Sequence, residues 1–192
     1  MTDLLDRWRE AFYTTVRQSA YAIPLQQAAL QGKMAWTRAI TDVAVATCQG
    51  LGWEATARQH TLERLPVPRS EYLAIDVMAF APGAERWPLP LAIIELENNQ
   101  DDAYIAYNLW KLLCVRATLR LVYCYRPHAD QGSALVQALS RDVIGGLPIA
   151  DRLALDGETV IVIGSRADVA TFPHGFFRWW RLDKNIGHFV RG

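Results

Sequence analysis

Apolar positions recur at helical spacing through the first fifty residues and at strand spacing or in unbroken runs beyond them. Residues 3–19 (DLLDRWREAFYTTVRQS) set Leu4, Trp8, Ala11, Phe12 and Thr15/Val16 near one face, which predicts an amphipathic helix. Pro24 is expected to start a short second helix ending at Gly32, because proline suits a first turn and glycine a C-terminus. Residues 34–49 (MAWTRAITDVAVATCQ) predict a stronger helix, closed by Gly50 and Gly52.

The period then shortens. Strands are expected over 53–62 (WEATARQHTL), 71–80 (EYLAIDVMAF) and 91–97 (LAIIELE), with Pro66 and Pro68 breaking the chain between the first two. Pro82, Gly83, Pro88 and Pro90 mark a turn-rich connection before the third. Asn98 and Asn99 read as cap residues, with Asp101 and Asp102 in the first turn of a helix reaching about Arg116. A fourth strand over 119–125 (LRLVYCY), a helix near 132–143 and a fifth strand over 159–164 (TVIVIG) follow. Residues 172–183 are aromatic and fit more than one element. Helix, three strands, helix and strand in this order predict an α/β (α+β) domain with a mixed sheet.

Composition narrows the function classes. A chain of 192 residues, 51% hydrophobic and 10% aromatic, predicts one folded domain rather than a disordered chain. Twenty basic and twenty acidic residues cancel, so binding to nucleic acid must come from a local patch. No stretch reads as a membrane span, and residues 1–9 carry Asp3, Asp6, Arg7 and Arg9 rather than a leader's apolar run. Three cysteines, Cys48, Cys114 and Cys124, each within an apolar run, are expected to be buried free thiols. A reducing cytoplasm is the expected setting.

Charge stands where it is costly. Asp76 lies between Ile75 and Val77, and Glu95 and Glu97 flank Leu96 after an apolar run. Alternation sets Leu91, Ile93, Glu95 and Glu97 on one face. Carboxylates in a covered sheet need a cation, a basic partner or a shared proton. A divalent ion such as Mg²⁺ takes one or two carboxylates together with water and phosphate oxygens. On the following helix Lys111 lies with Tyr104 and Tyr107 along one side. It reads either as a cation that orients water or as a lysine lying along the helix surface.

At these residues the chain resembles the restriction-endonuclease-like nucleases, the PD-(D/E)XK group. Asp76 in IDVMAF matches the first acid and Glu95 in IIELENN the second, while Glu97 stands where the group most often has lysine. Lysine can instead come from the following helix, which would fit Lys111. The resemblance implies an αβββαβ core with a mixed central sheet flanked by helices over residues 34–126. Residues 1–33 would form an N-terminal helical extension and 127–192 C-terminal additions. It further implies Mg²⁺- or Mn²⁺-dependent phosphodiester hydrolysis, with Asp76, Glu95 and Glu97 as metal ligands, the Leu96 carbonyl as a further one, and DNA favoured over RNA. An acid on the preceding helix sometimes assists metal binding in this group; within 34–49 the candidate is Asp42, which also reads as a solvated helix position.

Alternatives remain at several positions. Loss of the motif lysine also fits an inactive module of the same fold that binds protein or nucleic acid. Arg178 and Arg181, among Phe176, Phe177, Trp179 and Trp180, read as a nucleic-acid-facing edge, an aromatic core strand or a dimer seam. Seven tryptophans permit a homodimer. None of the four histidines lies in a close pair, and His60 reads as a packing residue.

Overall fold

The computed structural model describes residues 3–62, 65, 67, 69–83 and 87–192. They fall into two compact units, Met1–Leu96 and Glu97–Gly192. In the first, the early apolar stripe becomes α1 (Leu4–Arg17), burying Leu5, Trp8, Phe12, Thr15 and Val16. Leu5 rather than Leu4 takes the inward position. Trp8 stacks on Trp53 with ring centroids 6.1 Å apart.

The second helix starts earlier than expected. Gln18 turns extended (φ −66°, ψ 136°) and ends α1, and α2 (Ser19–Gln31) begins at the next residue. Pro24 therefore lies inside the helix, where it removes one backbone donor. Leu25 and Ala28 are nevertheless buried, and packing of α2 on α3 offsets that loss. Gly32 separates the two at φ +109°, a conformation that suits glycine. The third helix, α3 (Lys33–Gly50), follows the expected limits and packs against the strands after it.

Those strands are β1 (Glu54–Ala57), β2 (Val77–Phe80) and β3 (Ala92–Leu96), paired antiparallel in chain order. Two are shorter than their apolar patterns suggest. β1 stops because Ala57 and His60 exchange both backbone hydrogen bonds around an Arg58–Gln59 turn. β2 starts late because Leu73 and Ala74 adopt positive φ (56° and 52°). Asp76 therefore precedes β2 instead of lying within it. Pro66 and Pro68 lie outside the described residues. All five residues of β3 are buried, so both its faces are covered, as the Ile-rich run implied.

The second unit contains α4 (Asp102–Leu113), β4 (Leu119–Arg126), α5 (Ala129–Leu139), α6 (Ile149–Leu153), β5 (Glu158–Ser165), β6 (Phe177–Asp183) and β7 (His188–Arg191). β4 and β5 pair in parallel over their full lengths, while β5–β6 and β6–β7 are antiparallel. Parallel and antiparallel pairs together make this a mixed α/β protein. The order α3–β1–β2–β3–α4–β4 reproduces the expected succession of helix, three strands, helix and strand. The cap of α4 is Asp101, whose Oδ1 accepts the Ala103 N–H at 2.9 Å, rather than Asn98 or Asn99. The helix near 132–143 starts at Ala129 and ends in a π-turn over Ser140–Ile144. Both α6 and β7 went unforeseen; at five and four residues they are too short to show a period. The aromatic segment resolves into β6, with Phe176, Phe177, Trp179 and Trp180 all buried.

Gly157 shows how tightly the β4–β5 start is built. Its φ is +70°, and a Cβ there would lie 2.2 Å from the Thr118 carbonyl oxygen. Gly157→Ala should therefore cost more than ~2 kcal/mol in urea denaturation, since both the backbone strain and the contact oppose it.

Two of the three thiols are buried as expected, but Cys114, just past α4, is exposed. The difference arises because α4 ends at Leu113, one residue beyond its last inward side chain, Leu112. Burial pushes the Cys124 thiol up to about 12, with Arg126 opposing the rise and Glu97 and Asp102 adding to it. Burial likewise holds Cys48 far above the usual thiol range. A maleimide or disulfide reagent at neutral pH should modify one thiol per native chain and three after denaturation. Rapid native labelling of a second thiol would contradict this burial.

Candidate functional site

The β2–β3 register places two acids side by side. Val77 pairs with Ile94, Met78 with Ile93 and Ala79 with Ala92. One step further along the same register, Asp76 faces Glu95. Residues directly opposite on antiparallel strands have Cβ atoms about 4.5–5.5 Å apart on one face. Asp76 is half-buried, and its Oδ2 accepts the Leu96 N–H at 2.7 Å. That hydrogen bond ties the residue before β2 to the end of β3. Glu95 is only 3% exposed, and its Oε1 is shut off from solvent.

Asp76 also lines a cleft of 430 Å³ in the first unit, together with Thr37, Arg38, Asp42, Arg58 and Glu71. The α3 contributors lie along one helical stripe. Asp42 reaches the cleft but is engaged, its Oδ1 lying 2.9 Å from His60 Nε2. This pair ties α3 to the Arg58–Gln59 turn. Thr56 Oγ1 donates to the carbonyls of His60 and Ser70, each at 3.0 Å, and steadies the same turn. His60 is thus bound to Asp42 at the rim, where a packing role was expected.

Glu97 and Lys111 belong to the second unit. Glu97 lies beyond β3, and its backbone N–H donates to the Tyr123 carbonyl at 2.8 Å. Its Oε1 accepts the Asn99 N–H at 2.5 Å and its Oε2 the Asn108 Nδ2 at 2.8 Å. Both oxygens therefore hold the chain entering α4. Lys111 stands one turn from Asn108, half-buried at the border of the inward face. Tyr104 and Tyr107 are each 56% exposed. The structure brings Asp76 and Glu95 together in one unit and Glu97 and Asn108 together in the other.

Arg178 and Arg181 do not form one patch. They are three residues apart on β6, so alternation points them to opposite faces. Arg178 Nη2 donates to Asp168 Oδ2 at 2.9 Å, and Arg181 Nη2 lies 2.9 Å from Glu158 Oε1. Each is bound to its own acid.

No family model, curated protein or solved structure matches the chain. Among the described residues, no group of three or more histidine, cysteine, aspartate or glutamate side chains is placed to hold a metal ion. Two carboxylates stand one step beyond the paired Val77 and Ile94, and a hard divalent cation commonly takes two, completing its shell with water and substrate phosphate. The oxygen donors of Asp76 and Glu95 thus fit Mg²⁺ or Mn²⁺. No helix among the described residues is long and apolar enough to cross a membrane.

Sequence reasoning missed three polar residues. Asn108 is 8% exposed within the inward stripe of Ile105, Leu109 and Leu112, and a polar residue in such a stripe was the available signal. Arg38 and Arg58 carried none, because only the folded chain brings them to one cleft.

Proposed function

We propose that this chain is a metal-dependent nuclease with a restriction-endonuclease-like core, hydrolysing phosphodiester bonds in nucleic acid, with DNA favoured over RNA. The observation that carries the reading is the placement of Asp76 opposite Glu95 beside an open cleft. Asp76 and Glu95 would hold Mg²⁺ or Mn²⁺. When bound, such an ion activates water and offsets charge on the phosphate. Asp76 is oriented by the Leu96 N–H. Burial of Glu95 keeps bulk water from screening its charge. In this reading Glu97 positions the entry to α4, where Arg126 pairs with Asp102, and Lys111, one turn from Asn108, is the cation that would orient water. The setting of such an enzyme would be the cytoplasm, and a homodimer would be compatible with it.

The test is calorimetric titration of Mn²⁺ and Mg²⁺ into the wild type and Glu95→Gln. Micromolar to millimolar binding by the wild type, lost in Glu95→Gln, is the expected result. Equal binding by both proteins would remove Glu95 from the site.

A second reading has its own support. Both oxygens of Glu97 are engaged within the protein, and the motif lysine is absent from that position. These features suit a catalytically inactive module of the same fold that binds protein or nucleic acid. Metal binding without cleavage of single- or double-stranded DNA or RNA would favour it.

A further inference from the structure

The cleft beside Asp76 carries two cations that the acidic pair does not explain. Arg38 lies on its helix wall, in a stripe with Met34, Thr37, Thr41 and Asp42 at intervals of three and four residues. Arg58 lines it from a second element, the turn that closes β1. Both are exposed, and among the described residues no hydrogen bond or ion pair engages either guanidinium. Several other arginines are bound: Arg120 to three carbonyls, Arg126 to Asp102, Arg178 to Asp168 and Arg181 to Glu158. Asp42, one turn from Arg38, is the natural intrahelical partner, but His60 takes it.

The turn that carries Arg58 is itself strained. Gln59 has φ +71° at the third position of the turn, where glycine or asparagine is favoured. The Asp42–His60 contact and the Thr56 hydroxyl hold it in that shape. Strain retained by surrounding contacts is typical of residues placed for a ligand. Two guanidiniums facing one cleft suit phosphate, since each can present paired N–H donors to its oxygens. A neutral protein also needs a local source of attraction for a polyanion.

We propose that Arg38 and Arg58 form a clamp for the sugar–phosphate backbone of a polynucleotide lying in the cleft beside Asp76. The proposal rests on the nuclease reading for the identity of the reacting phosphate, but binding itself needs no metal and no reaction.

The test is fluorescence anisotropy with labelled single- and double-stranded oligonucleotides in EDTA, over a salt series. The proteins are the wild type, Arg38→Gln, Arg58→Gln, the double variant and Arg17→Gln, an exposed α1 arginine outside the cleft. Each cleft substitution should raise Kd about tenfold and lower the log–log salt slope by about 0.7–0.9. Arg17→Gln should behave as the wild type, and thermal melts should coincide across the set. Unchanged Kd and slope in the double variant would overturn the clamp. So would a mononucleotide competing as strongly as the oligomer, since that describes a pocket for a free nucleotide. Arginine-dependent binding with no cleavage under any metal would keep the clamp and remove the hydrolytic reading. Cleavage with an unchanged KM in the double variant would do the reverse.

Discussion

Asp76→Asn is expected to lower metal-dependent phosphodiester cleavage by about 10³-fold or more while leaving the protein folded. The asparagine Oδ1 can still accept the Leu96 N–H that Asp76 Oδ2 accepts at 2.7 Å. The hydrogen bond tying the start of β2 to the end of β3 is thereby kept. What disappears is the negative charge that a divalent cation would need at this position. Asp76→Ala is a poorer test: it leaves the Leu96 N–H without its acceptor and should cost ~1–3 kcal/mol. Glu95→Gln should match Asp76→Asn in activity. Saturating Mn²⁺ should raise the wild-type melting temperature, because a ligand bound only by the native state stabilises it, and should not raise that of either variant. Retained cleavage in both variants, or equal Mn²⁺ stabilisation in all three proteins, would dismantle the site.

The second large effect concerns folding. Arg120 is 2% exposed at the start of β4. Its Nε donates to the Leu112 and Val115 carbonyls at 3.0 and 3.2 Å, Nη2 to Val115 at 2.8 Å and Nη1 to the Asp156 carbonyl at 2.6 Å. One guanidinium thus serves the end of α4 and the loop before β5. A cation at a helix C-terminus also complements the helix dipole. Burial lowers the Arg120 pKa from its usual value, and the Asp156 charge opposes that shift. Arg120→Met should cost about 3–5 kcal/mol in urea denaturation, because it strands three carbonyl acceptors. For a chain of this size that is a fall in Tm of about 8–15 °C. Arg120→Lys should recover part of the loss, since an ammonium keeps the charge but cannot span three carbonyls. A loss under ~1 kcal/mol for Arg120→Met would show that the network contributes little.

Local chemistry was legible wherever an element repeats its pattern several times. The stripe Leu5, Trp8, Phe12 and Val16 specifies α1, and long apolar runs specify β4 and β5. These elements are set by burial of one face or of both, a property each segment carries in its own residues. Short elements fared worse: four-residue β1 and β2 were overextended, and β7 was missed. Positive φ at Gln59, Leu73 and Ala74, none of them glycine, ends or delays strands without a residue-type signal.

The sequence by itself determined that this is a mixed α/β chain and the order of its main elements, and it singled out Asp76, Glu95 and Glu97 as candidate acids. Tertiary structure alone decided what those acids meet. The β2–β3 register, carried one step beyond Val77–Ile94, sets Asp76 opposite Glu95, and register is a nonlocal choice between strands joined by a loop. Glu97 is drawn to Asn99 and Asn108 instead, because the chain leaves β3 just before it and turns toward α4. Arg38 and Arg58, twenty residues apart in a sequence of zero net charge, reach one cleft only because Asp42 binds His60 and holds the turn against α3. Periodicity reports which face of a segment is buried; which charges then face one another depends on packing between segments distant in the chain.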